Sequence, residues 1–122
     1  MIDVYASFAA LLNHELPTGV APDSRDQLNN FLGTDTIGCD YVVQQHLNNT
    51  LSIIQNNWKY IEPSDKPALE HWTKMETGNN PQPQLYDLSV DPSEKENLAG
   101  THPDKVKELA ILLEKVKAAK TK

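Results

Sequence analysis

The chain is predicted to adopt an α+β fold: a four-stranded antiparallel sheet packed by a C-terminal amphipathic helix, with a further helix at the N-terminus. Three observations lead there. Short β-branched and aromatic runs recur between residues 40 and 61, separated by asparagine-rich turns. A fourth such run, Gln84 to Leu88, follows a proline-containing loop. Helical spacing of apolar residues is strongest near the two ends of the chain.

From Ile2 to Asn13, apolar positions such as Val4, Tyr5, Phe8, Leu11 and Leu12 recur at i, i+3, i+4 and i+7, the pattern of an amphipathic helix that Glu15-Leu16-Pro17 ends. Asp23 or Ser24 is expected to cap a short second helix through Leu28, Phe31 and Leu32, closed by Gly33. Tyr41, Val42 and Val43 mark a strand from Asp40 to Gln45, followed by a turn over His46 to Asn49. Leu51 to Ile54 and Trp58 to Ile61 form the next two strands. Gln55-Asn56-Asn57 makes the turn between them, because asparagine tolerates positive φ. Glu62 to Pro83 is a polar loop, with a helical turn expected over Ala68 to Met75.

Trp58 and Tyr60 share one face of their strand as core, and Lys59 is expected to point to solvent. Asp91-Pro92 is expected to stop the fourth strand, since proline donates no hydrogen bond and biases its predecessor away from helix. Thr101 can cap the last helix and Pro103 suits its first turn. Val106, Leu109, Ala110, Leu112, Leu113 and Val116 define its apolar face.

With 122 residues, 39% of them hydrophobic, and eight prolines, the chain suits one modest core and much loop. The net charge of −6 argues against nucleic acid as a partner. Six lysines against Asp104, Glu108 and Glu114 make the stretch from Pro103 to Lys122 locally basic, which suits a helix C-terminus. No apolar run approaches the roughly 20 residues that span a bilayer, so no membrane partner is expected. Met1-Ile2-Asp3 lacks the basic region of a signal peptide. The sole cysteine, Cys39, excludes an internal disulfide and a Cys-pair metal site.

No nucleophile triad, P-loop, EF-hand loop or i, i+4 histidine pair is present, so no catalytic, cofactor-binding or metal residues are assigned. His102 reads as a helix-start residue and His71 as exposed filler. His46 stands apart, because a rigid sheet can aim a side chain at the mouth of a hairpin into a neighbouring cleft, although a purely structural role ranks first. Asp87, Asp91 and Glu94 could gather oxygens for a cation, but turn and capping roles explain them more simply.

Four segments in register resemble the C-terminal part of the sulfatases, of the alkaline-phosphatase-like superfamily. Ile2 to Leu11 is similar to a family helix, with Glu15-Leu16-Pro17 at the usual place. Ala21-Pro22-Asp23-Ser24 and Phe31-Leu32-Gly33 match a second segment. Tyr41 to Ile61 matches the strand pair ending in Trp-Lys-hydrophobic-Ile. Leu85 to Ala99 matches the Leu-Tyr-Asp-Leu, Asp-Pro-x-Glu, Asn-Leu-Ala pattern. Departures occur at Ile54, where an arginine is common, at Asn57, where a glycine often sits, and at Gly38-Cys39, where a basic residue is frequent.

The resemblance implies a division into residues 1–33, leading out of a catalytic α/β domain, and residues 34–122, the C-terminal α+β subdomain that packs on it. Sulfatases hydrolyse sulfate esters with a formylglycine, made from Cys or Ser in a Cys/Ser-x-Pro/Ala-x-Arg motif, and a divalent cation, usually calcium. Cys39-Asp40-Tyr41-Val42-Val43 does not fit that motif, so this chain is expected to hold neither group and to be inactive alone. Gln45, His46 and Asn48 are the residues expected nearest the parent's substrate, a sulfated glycan or aryl ester. Relatives acting on glycans are commonly periplasmic or secreted. Separated from its catalytic domain, the chain is expected to expose an apolar patch on the first helix and one sheet face, and to self-associate as a homo-oligomer or aggregate. The competing reading is a stand-alone acidic α+β binding module. The phosphoesterase branch of the superfamily fits the Trp-Lys and Leu-Tyr-Asp-Leu patterns less well.

Overall fold

Ala6 and Ser7 show how the first helix is held. In the computed structural model, which describes residues 2–120, helix α1 spans Val4–Leu11. Its N-cap residue, Asp3, makes no side-chain cap bond. The orphan amide of Ala6 instead donates to Ser24 Oγ, 18 residues away, at 2.9 Å. The fully buried Ser7 donates from Oγ to the Asp3 carbonyl and accepts from the Gln27 amide. Ser24 is thus engaged with α1, which overturns its expected role as a cap for the second helix. That helix, α2, is the single turn Leu28–Phe31, preceded by Gln27 with no side-chain cap. Asp26 Oδ1 accepts the Leu28 amide, and Gly33 closes the turn at φ +71 as expected. The Asn29 carbonyl accepts from Thr34 and Asp35, and Asn30 Nδ2 donates to the Ile37 carbonyl. These bonds tie residues 34–38 to α2, and the first compact unit is Met1–Cys39.

The second unit, Asp40–Lys122, carries the sheet. Strands β1 (Val42–Gln45), β2 (Leu51–Gln55), β3 (Trp58–Ile61) and β4 (Gln84–Asp87) run in spatial order as an antiparallel meander, followed by helix α3 (Pro103–Lys120). The expected α+β architecture is the one observed. A 3₁₀ turn, Leu47–Asn49, joins β1 to β2, with Asn48 and Asn49 at φ +69 and +67. Asn56, at φ +53, turns β2 into β3. Asparagine at these positions lowers the cost of the left-handed region.

Register sorts the side chains into two faces. Val43, Ile53, Tyr60 and Leu85 stand opposite one another across the four strands. Ile53, Tyr60 and Leu85 are buried with Leu109 and Leu113 of α3, and Trp58, Val106 and Leu112 pack around them. Each fully buried Leu or Ile contributes about 1.5–3 kcal/mol. The other face presents Ser52, Lys59, Ile61, Gln84 and Tyr86, all buried. Lys59 is therefore not solvated, contrary to expectation. Period-2 alternation puts it on the far face, but the returning loop 62–83 and the turn at Glu94 cover that face.

Two local expectations are also corrected, and a third is met only in part. Over Ala68–Met75 the loop makes a single turn, the Lys74 amide donating to the Glu70 carbonyl, and then folds back through a bridge between Leu69 and Glu76. Glu70 Oε2 accepts the Trp72 and Thr73 amides and the Thr73 hydroxyl, which favours this turn over a helix. Strand β4 ends at Asp87, before Asp91-Pro92, because the Asp87 carboxylate accepts both the amide and hydroxyl of Ser89. Thr101 Oγ1 donates to the Leu98 carbonyl and lies 2.9 Å from His102 Nδ1; because α3 begins at Pro103, His102 and not Thr101 takes the position expected of its cap.

Candidate functional site

The polar face of the sheet builds a cavity of about 360 Å³ inside the second unit. Ile61, Gln84 and Tyr86 line it from β3 and β4, and His46, Glu76, Thr77, Gly78, Ser93 and Glu94 complete its lining. The loop that covers this face is pinned at both layers. Thr50 Oγ1 donates to Asn79 Oδ1 at 2.5 Å. Thr77 Oγ1 and Asn79 Nδ2 both donate to the Pro67 carbonyl, at 2.7 and 3.1 Å. Gln84 Nε2 donates to the Gly78 carbonyl at 2.7 Å, and Tyr86 Oη donates to Gln84 Oε1 at 2.9 Å. Loop, β4 and phenol thus form one hydrogen-bonded chain.

His46 sits half-buried beside this network, with Nε2 2.9 Å from Oγ of the fully buried Ser52. Gly78 lies against the ring: a Cβ there would come 3.1 Å from His46 Nδ1, and its φ of +75 independently favours glycine. Burial, and secondarily Lys59, hold the imidazole below its usual pKa, opposed by Glu94. Lys59 Nζ donates to Glu94 Oε1 at 2.7 Å. Burial first, then Glu94, Asp91 and Glu76, raise the Tyr86 phenol, which keeps it a donor.

The structure separates the three residues singled out from sequence. His46 lines the cavity. Gln45 pairs with Leu51 on the opposite parity, and its exposed amide donates to Asn49 Oδ1. Asn48 is exposed in the 3₁₀ turn, where its carbonyl accepts from Lys66 Nζ. Lys59, Gln84 and Tyr86 were not singled out as site residues, and Glu94 was weighed only with Asp87 and Asp91 as a cation ligand. The parity that Lys59, Gln84 and Tyr86 share with Ser52 was a readable signal, since polar residues alternating with core positions mark a second face.

Other candidates have local partners. Asp87 bonds Ser89, Asp91 Oδ2 accepts the Lys95 and Glu96 amides, and Glu94 bonds Lys59, so the three carboxylates do not converge on a cation. Among the described residues no group of three or more His, Cys, Asp or Glu could hold a metal ion. Cys39 is free and exposed. The His102 ring lies 5.3 Å from that of Trp58, consistent with a structural place at the start of α3. His71 makes an edge contact with the exposed Trp72 at the loop tip. In the first unit, Tyr5, Phe8, Leu11 and Leu12 leave much apolar surface exposed on α1.

No family model matches the sequence. The chain is 61% identical over 116 residues to N-acetylgalactosamine-6-O-sulfatase of Bacteroides thetaiotaomicron, covering 95% of this chain and 23% of that protein. Arylsulfatase K of Xenopus laevis is 38% identical over 60 residues, covering 49% of this chain and 9% of that protein. A solved structure from work on the metabolism of multiple glycosaminoglycans by Bacteroides thetaiotaomicron superposes with a TM-score of 0.91 at 60% identity, covering 95% of this chain and 24% of the other. The chain therefore spans less than a quarter of the curated relatives it matches.

Proposed function

The chain belongs with the sulfatases as a C-terminal piece of one, sharing sequence and fold over 95% of its length, and on that premise we propose that it packs on a catalytic α/β domain and walls part of the substrate pocket. Residues 1–33 would lead from the catalytic domain into the subdomain at 34–122. The strongest support for a wall role is the polar cavity holding His46, because its hydrogen-bonded loop and ion pair hold side chains in place that a larger lobe can face. Gln45 and Asn48, exposed at the same end of the hairpin, would lie farther out. The substrate class that fits the named relative is a glycan bearing 6-O-sulfated N-acetylgalactosamine.

Sulfatases as a family use formylglycine and a metal ion. The residues described here fit neither group: Cys39 lies outside the required motif, and no candidate metal cluster forms among them. Bond cleavage is accordingly assigned to the catalytic domain. His46→Ala in the full-length sulfatase should raise KM or lower kcat, and unchanged kinetics would remove His46 from the pocket. The purified 122-residue chain should leave sulfate esters untouched. Robust turnover by it would overturn the assignment.

A further inference from the structure

His46 reaches the cavity with one ring nitrogen engaged by the sheet. Its Nε2 lies 2.9 Å from Oγ of Ser52, on β2. Ser52 is fully buried and stays out of the cavity lining, whereas His46 and Gly78 both belong to it. Nδ1 has no hydrogen-bond partner among the described residues and sits on the Gly78 side, where a Cβ would come 3.1 Å from it. The glycine is itself held, its carbonyl accepting from Gln84 Nε2 at 2.7 Å. Nε2 thus faces the sheet, and Nδ1 faces the loop side that lines the cavity.

A neutral imidazole carries one N–H and one acceptor, and the partner of one nitrogen decides which the other is. Burial, then Lys59, favour the neutral ring here, against Glu94. Ser52 Oγ has no second partner among the described residues. Were it to accept from Nε2–H, its own buried hydrogen would have no acceptor, and an unmade bond in such a place is costly. Donating to Nε2 satisfies the hydroxyl and leaves the ring proton on Nδ1. Of the two tautomers, only that one leaves no buried donor unmet.

We propose that Ser52 is a positioning residue: its hydroxyl donates to Nε2, fixes the Nδ1–H tautomer of His46, and so makes His46 a neutral hydrogen-bond donor to an acceptor oxygen of the substrate. This rests on the pocket-wall reading above and adds the residue that sets what His46 can recognise. Ser52 acts through the ring and does not itself touch substrate.

The ring is read by proton–nitrogen correlation NMR of the 122-residue chain at about pH 7.5, and KM and kcat are measured in the full-length sulfatase. The wild-type chain should show Nδ1 as the protonated nitrogen. Ser52→Ala should lose that single-tautomer signature and should raise KM roughly three- to tenfold, with kcat within about twofold. Ser52→Thr, which keeps the hydroxyl, should restore both, whereas a packing role alone would leave the ring proton where it was. Should Ser52→Ala not fold, Ser52→Cys, close in size and a much weaker donor, takes its place. A wild-type proton on Nε2 overturns the proposal without any variant. So does a variant ring that keeps the Nδ1 proton, or a KM that rises in His46→Ala but not in Ser52→Ala. A signature lost in Ser52→Ala, with kinetics unmoved by that variant and by His46→Ala, would sink the pocket-wall reading alone.

Discussion

Lys59 and Glu94 meet across 35 residues, with Nζ 2.7 Å from Oε1, and so join the third strand to the turn after the fourth. The Lys59 side chain is 9% exposed and that of Glu94 31%. Glu94 holds φ +55 at this position, an uncommon conformation for a residue with a side chain. Next to it, Asn97 Oδ1 accepts the Leu85 amide and the Leu98 amide donates to the Leu85 carbonyl, so the segment clasps the outer edge of β4. The Trp-Lys and Asp-Pro-x-Glu patterns are two halves of one fastening.

Removing one half should expose the asymmetry of a buried pair. Glu94→Ala strands the Lys59 ammonium in a covered site and should cost about 2–3 kcal/mol, somewhat below the loss typical of a fully buried pair because Glu94 is partly solvated. Lys59→Met combined with Glu94→Gln should recover most of that loss. Urea unfolding of the two variants measures both, and equal destabilisation would contradict a desolvation cost at Lys59.

The core between the sheet and α3 should respond in the ordinary way of a close-packed site. Ile53 and Leu109 are 0% exposed, and truncation of either to alanine should cost about 2–5 kcal/mol. Leu12→Ala, at 76% exposure in the first unit, should change stability by no more than about 0.5 kcal/mol. Chemical denaturation curves of the three variants provide the comparison.

Stability should also carry the signature of His46. Its folded pKa lies below 6.5, through burial first and Lys59 second. As pH falls past 6.5 the unfolded chain takes up a proton that the folded imidazole still refuses, so the unfolded state binds more protons there. Its stabilising contribution is complete above that value and declines below it, towards the depressed folded pKa. The urea midpoint should therefore fall between about pH 7.5 and about pH 5.5, and His46→Gln should flatten that part of the profile. An unaltered slope in the variant would assign the dependence to other groups.

The apolar side of α1 should govern behaviour of the chain in isolation. Tyr5, Phe8, Leu11 and Leu12 are all more than half exposed. Sedimentation should show self-association and an apolar dye should bind. Phe8→Glu with Leu12→Lys should lower both. A wild-type chain that sediments as a clean monomer and binds no dye would count against this patch as a docking surface.

The four strands, their antiparallel pairing and the closing helix were legible from residue types and spacing alone. β-branched and aromatic runs favour extended backbone, asparagines permit the turns, and an alternating strand such as Trp58–Ile61 announces which side chains share a face. The short polar residues were harder to place. Ser24 can serve any amide within reach, and the first helix claimed it through Ala6. Glu70 captured local amides, and the segment after it made one turn and folded back instead of extending into a helix.

Alternation says that Lys59 and Tyr60 point opposite ways; it cannot say whether either side is covered. That depends on a loop without periodicity, whose route is set by bonds such as Thr50 to Asn79 and Gln84 to the Gly78 carbonyl. Those long-range closures buried Lys59, brought Glu94 to it, and left His46 beside a cavity while Gln45 and Asn48 stayed outside. Local preferences act over a few neighbours and are written along the chain, whereas the chemistry of this cavity arises among residues separated by tens of positions and exists once packing has joined them.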